Sequence, residues 1–171
     1  MKKLLTCLFV VFFAATSYGE PIKVADTEVT FIPPQGFKKV PQEIVDIKWP
    51  SNRAPRFVIG NERATTTIAY DLKPNNIPQN KLVEAQKAFI NLFERIISGI
   101  QWKKKEIIEI SGQKWIFLEM TSKAIDTDIH NIMLVTGYQG KMLLFNFNST
   151  REEFPKYEKQ IRESIKTIKL P

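Results

Sequence analysis

The stretch that decides the fold is KWIFLEMTSK, residues 114–123, in which two sets of large side chains alternate. Alternation with a period of two predicts a β-strand whose two faces carry different residues. One face would carry Trp115, Phe117 and Glu119. The other face would carry Ile116, Leu118 and Met120. We therefore interpret the neighbouring segments relative to this strand.

The chain on either side indicates further strands joined by tight turns. Residues 106–110 precede the strand and are separated from it by Ser111-Gly112-Gln113. Residues 128–138 follow it, and the turn Gln139-Gly140 leads into a last strand at 141–148. Strands joined by such short turns pair antiparallel.

The first half of the chain predicts three short strands punctuated by prolines. Residues 27–32 alternate polar and apolar side chains, and Pro33-Pro34-Gln35-Gly36-Phe37 ends that strand. Residues 57–60 and 64–72 predict two more strands joined by a turn. Residues 38–55 show no periodic pattern, so no element is predicted there.

Two amphipathic helices are predicted, one in the middle of the chain and one at its end. Residues 81–98 carry apolar side chains at three- and four-residue steps. The sheet-facing residues of this helix would include Leu82, Phe89, Phe93 and Ile96. The second helix, at 154–168, would bury Tyr157, Ile161, Ile165 and Ile168. Because Pro155 has no N–H, the regular part of this helix would begin at Phe154 or Pro155. The predicted order is thus βββαββββα, an α+β fold in which both helices pack on a mainly antiparallel sheet.

This order resembles that of the PsbP-like family, which includes the photosystem extrinsic protein, a yeast Ran-binding protein of the same fold and exported bacterial proteins of the DcrB type. The likeness covers residues 27–170 and rests on several degenerate features. They are Pro34-Gln35-Gly36-Phe37, the long helix after a hairpin, Ile110-Ser111-Gly112 before the Trp-containing strand, and Tyr157-x-x-x-Ile161-x-x-Ser164-Ile165. The resemblance implies an α/β/α sandwich around a central antiparallel sheet. It also implies proteins that bind other proteins or assist assembly, usually without catalysis, and it supplies no catalytic or cofactor-binding residue.

Residues 1–19, MKKLLTCLFVVFFAATSYG, have the plan of a bacterial secretory signal peptide. Two lysines precede an apolar run from Leu4 to Ala15, and Ser17-Tyr18-Gly19 places small residues at −3 and −1 of a cut before Glu20. We expect one PsbP-like domain at 20–171, located in the periplasm or outside the cell, with no membrane span after cleavage. An uncleaved N-terminal anchor is the alternative, although the run is shorter than the ~20 apolar residues of a membrane helix.

Cys7 is the only cysteine of the chain and lies near the start of the apolar run. A lipid-attached cysteine would follow such a run, so we expect no lipid anchor. The predicted domain then contains no cysteine and is held together by packing, without disulfides.

The chain is basic, with 25 Lys and Arg against 18 Asp and Glu and a net charge of +7. Loss of Lys2 and Lys3 with the leader would lower this net charge to +5. The densest basic run, Lys103-Lys104-Lys105, is followed at once by Glu106, and aromatic residues do not interleave with basic ones as in a nucleic-acid groove. We therefore expect a basic, solvated surface and no nucleic-acid partner.

His130 is the only histidine, and Asp126, Asp128 and His130 would share one face of a strand. At about 3.3 Å per residue, the outer two lie about 13 Å apart, which is too far for one metal ion. We expect these residues to form a solvated polar edge, with no metal and no cofactor. The chain also has no Gly-x-Ser-x-Gly motif and no phosphate-binding glycine loop, so we expect no enzyme.

Trp49 lies in the unpatterned segment 38–55, with Arg53 and Arg56 close behind it. Exposed Trp and Arg are favoured anchors of protein interfaces, so these three residues are candidates for partner binding. The alternative is that Trp49 packs over the end of the sheet.

The hypothesis for function is an exported, non-enzymatic protein-binding or assembly module, one form of which is an envelope inhibitor or immunity protein. The alternatives are a periplasmic carrier of a small apolar ligand and, third, a hydrolase. No motif identifies the partner or the oligomeric state.

Overall fold

The computed structural model describes residues 19–49, 54–124 and 127–171. The predicted signal peptide, apart from Gly19, lies outside the described residues, and so do Arg53 and Asp126. The described elements are, in chain order, β1 (Ile22–Lys23), β2 (Thr30–Phe31), β3 (Lys38–Lys39), α1 (Gln42–Lys48), β4 (Phe57–Gly60), β5 (Thr66–Lys73), a 3₁₀ turn (Gln79–Lys81), α2 (Leu82–Ile96), β6 (Gln101–Ile110), β7 (Gln113–Lys123), β8 (Asp128–Tyr138), β9 (Lys141–Thr150) and α3 (Phe154–Lys166).

Seven of these strands form one antiparallel sheet in the order β3-β4-β5-β9-β8-β7-β6, and β1 pairs with β2 in a separate hairpin. Strands β6 to β9 each pair with the next through short turns, as the sequence predicts. Strand β5 pairs with β9 and so joins the first half of the chain to this meander. The predicted α+β fold and its order βββαββββα are confirmed, and the structure adds β1, β3 and α1 to that order.

One face of the sheet is covered by α3 and by the β1–β2 hairpin, and it forms the main core. Trp115 of β7 and Phe145 of β9 are fully buried there, with their ring centroids 6.1 Å apart. Phe31 of β2 meets Phe145 edge-on at 5.2 Å, and Ile161 of α3 packs into the same cluster. Burial of each such side chain contributes about 1.5–3 kcal/mol, so this layer is the principal source of stability.

The opposite face is covered by α1 and α2, and less completely. Leu82 is the buried residue of α2, while Phe89 and Phe93 are half-buried against Ile116 and Leu118 of the sheet. With helices on both faces, the sheet forms the α/β/α sandwich that the sequence resemblance implies.

Both predicted helices are present, with one difference in the stripe of α2. Helix α3 begins at Phe154, with Pro155 in its first turn, where a missing N–H breaks no helical hydrogen bond. Helix α2 ends at Ile96, and Ile97 is already extended, with φ −102° and ψ 116°. The prediction that Ile96 faces the sheet is wrong: Ile96 is 59% exposed, because Ile97, four residues after Phe93, takes the inward position instead. Within the described ranges, no helix is long and apolar enough to cross a bilayer.

The segment 38–55, for which the sequence predicts no element, contains the short helix α1. Its seven residues follow Pro41 and bury only Val45. Two helical turns are too short for an amphipathic stripe to stand out in the sequence. Val45 packs with Val58 of β4 and Ala69 of β5, and this contact fixes α1 over that part of the sheet.

Candidate functional site

The residues predicted to bind a partner lie at the end of α1 and just before β4. Trp49 follows the last residue of α1 and is half-buried against the cluster around Val45. Arg56 is exposed, and its guanidinium carbon lies 5.0 Å from the centre of the Phe57 ring, a cation–π distance. Arg53 lies outside the described residues. Trp49 therefore packs on the α1 face of the sheet, whereas Arg56 lies over Phe57, whose ring packs against the core on the opposite face.

Ile47 is an exposed aliphatic residue of α1 that the sequence did not single out. It is 79% exposed, more than the other exposed large apolar residues in the described ranges. A single exposed aliphatic residue is ordinary on a protein surface. This one, however, lies in the last turn of α1, two residues before Trp49 in the chain. We refer to Ile47 and Trp49 as the α1 surface.

A second group of polar side chains lies beneath α3, around a buried carboxylate. Glu119 of β7 is only 3% exposed. Its Oε1 accepts hydrogen bonds from Nη2 of Arg162 on α3, at 2.9 Å, and from Nε2 of His130 on β8, at 2.8 Å. Arg162 also donates from Nη2 to Glu158 of its own helix, at 2.7 Å. We refer to these four residues as the Glu119 cluster.

The surroundings of Glu119 keep its carboxyl group ionised. Burial alone raises its pKa, but the hydrogen bonds from His130 and Arg162 and the guanidinium charge outweigh burial. The pKa of Glu119 therefore falls from the ordinary 4.5 to about 2. A carboxylate this acidic is a poor proton acceptor at neutral pH. The chemical role that it can fill is to tie α3 to the sheet.

His130 is packed inside the protein, which corrects the prediction of a solvated polar edge. Its side chain is 13% exposed, and its ring lies parallel to that of Phe154, with the centroids 3.5 Å apart. The prediction was wrong because β8 lies between β7 and β9, and Phe154 of α3 covers His130 on this face. Asp128 does lie near the surface, where it pairs with Arg151 at 3.2 Å. Among the residues that the structure describes, which exclude Asp126, no three His, Cys, Asp or Glu side chains converge as metal ligands.

Two clefts flank the Glu119 cluster. The first has a volume of about 420 Å³ and lies between β6 and α3, with Ile108, Phe117 and Ile165 giving it an apolar floor. Arg162 lines this first cleft. The second has a volume of about 220 Å³ and lies where β7 ends and β8 begins, and His130 forms part of its wall.

Comparison with known proteins gives matches in structure only, since no family model and no curated protein sequence matches the chain. The cyanobacterial PsbP protein of Synechocystis sp. PCC 6803 matches with a TM-score of 0.62 and 13% identity, over 96% of this chain and 99% of that one. LpqN of Mycobacterium tuberculosis matches with a TM-score of 0.56 and 14% identity, over 88% of each chain. PA94 of Pseudomonas aeruginosa matches with a TM-score of 0.52 and 14% identity, over 91% of this chain and 98% of that one. The chain has the PsbP-like fold.

The PsbP-like fold describes the architecture of this chain and does not specify its activity. LpqN is described as involved in cell envelope biogenesis, and PA94 as a protein of unknown function. A shared fold hosts many different functions, and function resides in the site.

The Glu119 cluster of this PsbP-like sheet is what sequence reasoning missed. Glu119 and Arg162 are 43 residues apart, and no local spacing connects them. The available signal was Glu119 itself, which shares a strand face with Trp115 and Phe117. A carboxylate on such an apolar face requires a positively charged or hydrogen-bonding partner from elsewhere in the chain.

Proposed function

We propose that this chain is an exported, non-enzymatic module that binds another protein in the periplasm or outside the cell. The observation that carries the proposal is the α1 surface, where Ile47 is 79% exposed and half-buried Trp49 directly follows the helix. Tryptophan and arginine are enriched among the residues that dominate binding energy, and exposed aliphatic side chains add apolar contact area. Arg53 and Arg56 follow Trp49 in the sequence, and we include both in the proposed partner-binding set on that ground.

Charge complementarity favours a partner with an acidic rim. Arg53 and Arg56 follow the apolar residues of the surface, and the whole chain carries a net charge of +7. Opposite charges at the rim accelerate encounter and set orientation, while the apolar centre supplies affinity. One form of this function is an inhibitor or immunity protein that covers an acidic surface of an envelope toxin.

The arrangement of the Glu119 cluster supports a non-enzymatic role. Arg162 forms an ion pair with Glu119, and Nε2 of His130 is hydrogen-bonded to the same carboxylate. In the part of the chain that the structure describes, no Ser or Thr hydroxyl is hydrogen-bonded to His130. The cluster therefore joins three elements of the fold and presents no activated nucleophile.

Export is the part of the proposal that rests on the N-terminal sequence. Cleavage after Gly19 gives a mature protein that starts at Glu20 and a domain at 20–171. N-terminal sequencing of the protein from an envelope extract should therefore begin Glu20-Pro21-Ile22. Recovery of a membrane-bound chain that retains Met1 would contradict cleavage and favour the anchor.

Site-specific photo-crosslinking tests the α1 surface. Benzoylphenylalanine at Ile47 should capture an envelope protein, and the same group at Lys159, which is exposed on α3, should not. In the purified pair, Ile47→Asp should weaken binding at least tenfold. Val83→Asp is the matched control, because Val83 is also an exposed aliphatic residue on a helix, at 55%. Capture at both positions, or equal effects of the two substitutions, would refute the proposed surface.

The first cleft favours a second candidate function, a periplasmic carrier of a small apolar ligand. Its volume of about 420 Å³ lies in the range of small-molecule sites, and its apolar floor lies beside charged residues that include Lys104 and Glu106. Native mass spectrometry would find a bound apolar compound on a carrier, and Ile108→Arg should remove that compound. A chain that carries no bound compound and still binds its protein partner would favour the protein-binding module.

A further inference from the structure

We propose a second binding site, for a phosphate group, in the cleft of about 220 Å³ where β7 ends and β8 begins. Its lining comes from four places in the sequence: Lys103 lies on β6, Lys123 on β7, His130 on β8 and Arg151 directly after β9. The site is separate from the α1 surface, since α1 packs on β4 and β5.

The lining of this cleft has a surplus of positive charge. Lys103, Lys123 and Arg151 contribute three positive charges, and Asp128 contributes a carboxylate. Asp128 is paired with Arg151, with Nη1 and Oδ2 3.2 Å apart. Among the ion pairs of residues 19–49, 54–124 and 127–171, none involves Lys103 or Lys123. Counted over Lys103, Lys123, Arg151 and Asp128 of the described lining, the net charge is +2, and a bound anion would relieve the repulsion among these cations.

A phosphate group matches this lining in charge and in hydrogen bonding. A phosphate ester carries a charge of about −1.5 to −2 near pH 7, whereas a carboxylate carries a single negative charge. Lysine binds phosphate as a point charge, and arginine binds it through paired N–H groups. Thr121, which pairs with His130 on the same face of the sheet, adds a hydroxyl group to the wall.

Two parts of the cleft wall are held in place by the fold. A Cβ at Gly99 would come within 2.9 Å of Cγ of Lys123, so the absence of a side chain at Gly99 makes room for the lysine stem. The backbone N–H of Lys123 donates to the carbonyl of Ser98 at 3.0 Å, which fixes this end of β7. His130 is held by its hydrogen bond to Glu119 and by the ring of Phe154. Side chains that are fixed before a ligand arrives lose less freedom when it binds.

Calorimetric titration of the purified protein with inorganic phosphate and with glycerol 3-phosphate tests the site. Replacing both lysines, as Lys103→Met with Lys123→Met, should weaken binding at least tenfold. Lys141→Met is the matched control, because Lys141 is exposed at the β8–β9 turn, at the opposite end of these strands, and it should leave the affinity unchanged. Asp128→Asn should strengthen binding at least threefold, since it removes the carboxylate that competes for Arg151. Equal melting temperatures establish that the variants are folded.

A lipid headgroup and a soluble ester share this chemistry, so a second arm measures sedimentation with vesicles of phosphatidic acid in phosphatidylcholine. Binding that depends on Lys103 and Lys123 in this arm alone supports the site and assigns the phosphate to a lipid. Binding that depends on them in the soluble arm supports the site and assigns the phosphate to a small molecule. The proposal is overturned by binding to neither probe at millimolar concentration, by binding that survives the double substitution, or by an equal loss with Lys141→Met.

Discussion

Replacing Glu119 by glutamine tests whether the buried charges hold α3 against the sheet. Glutamine keeps the size of the side chain and removes the negative charge that Arg162 and His130 contact. A pKa difference of one corresponds to about 1.4 kcal/mol. The change from 4.5 in the unfolded chain to about 2 in the folded protein therefore corresponds to about 3 kcal/mol of stability at neutral pH.

The sign of the pH dependence follows from the lowered pKa. Glu119 binds a proton more weakly in the folded protein than in the unfolded chain. The contribution is therefore complete above about pH 5 and is lost as the pH falls towards 2. The free energy of unfolding of the wild-type protein should exceed that of Glu119→Gln by about 3 kcal/mol at pH 7, and by less than about 1 kcal/mol at pH 2.

Urea unfolding followed by tryptophan fluorescence at several pH values between 7 and 2 measures this difference. Glu158→Gln is the matched control, because Glu158 also pairs with Arg162 but its side chain is 44% exposed. This control should lower the free energy of unfolding by less than about 1 kcal/mol. The reasoning is refuted if the difference between wild type and Glu119→Gln does not change with pH, or if it stays below about 0.5 kcal/mol at pH 7.

Ile161→Ala should lower the free energy of unfolding by about 2–5 kcal/mol, because Ile161 is fully buried. Phe89→Ala should cost less than Ile161→Ala because Phe89 is only half-buried, and the opposite ranking in urea unfolding would contradict the packing of α2. His130→Ala should cost about 1–3 kcal/mol, because it removes a hydrogen bond to buried Glu119 and the contact with Phe154; an unchanged stability would favour the solvated edge. A chelator should leave the melting temperature unchanged, and a fall that zinc or calcium reverses would reveal a structural ion.

The elements that sequence reasoning located are those with a long local period. Alternation over 114–123 predicted β7 and both of its faces, and Trp115 and Leu118 do lie on opposite sides of the sheet. The three- and four-residue steps predicted α2 and α3. Helix α1 was missed, because seven residues that bury one side chain leave no periodic signal. The inward position of Ile97 depends on where α2 stops, which periodicity does not specify.

The same division, between what local sequence patterns specify and what the tertiary structure specifies, holds for the candidate sites. Local patterns in the sequence specified the long strands, the two long helices and their order, because each of these is a property of neighbouring residues. Only the tertiary structure decided that β5 lies beside β9, that Glu119 meets Arg162 of α3, and that Lys103 and Arg151 line one cleft. These contacts join residues that are far apart in the chain. They depend on which strands pair and on which helices cover the sheet, so no spacing within the sequence specifies them.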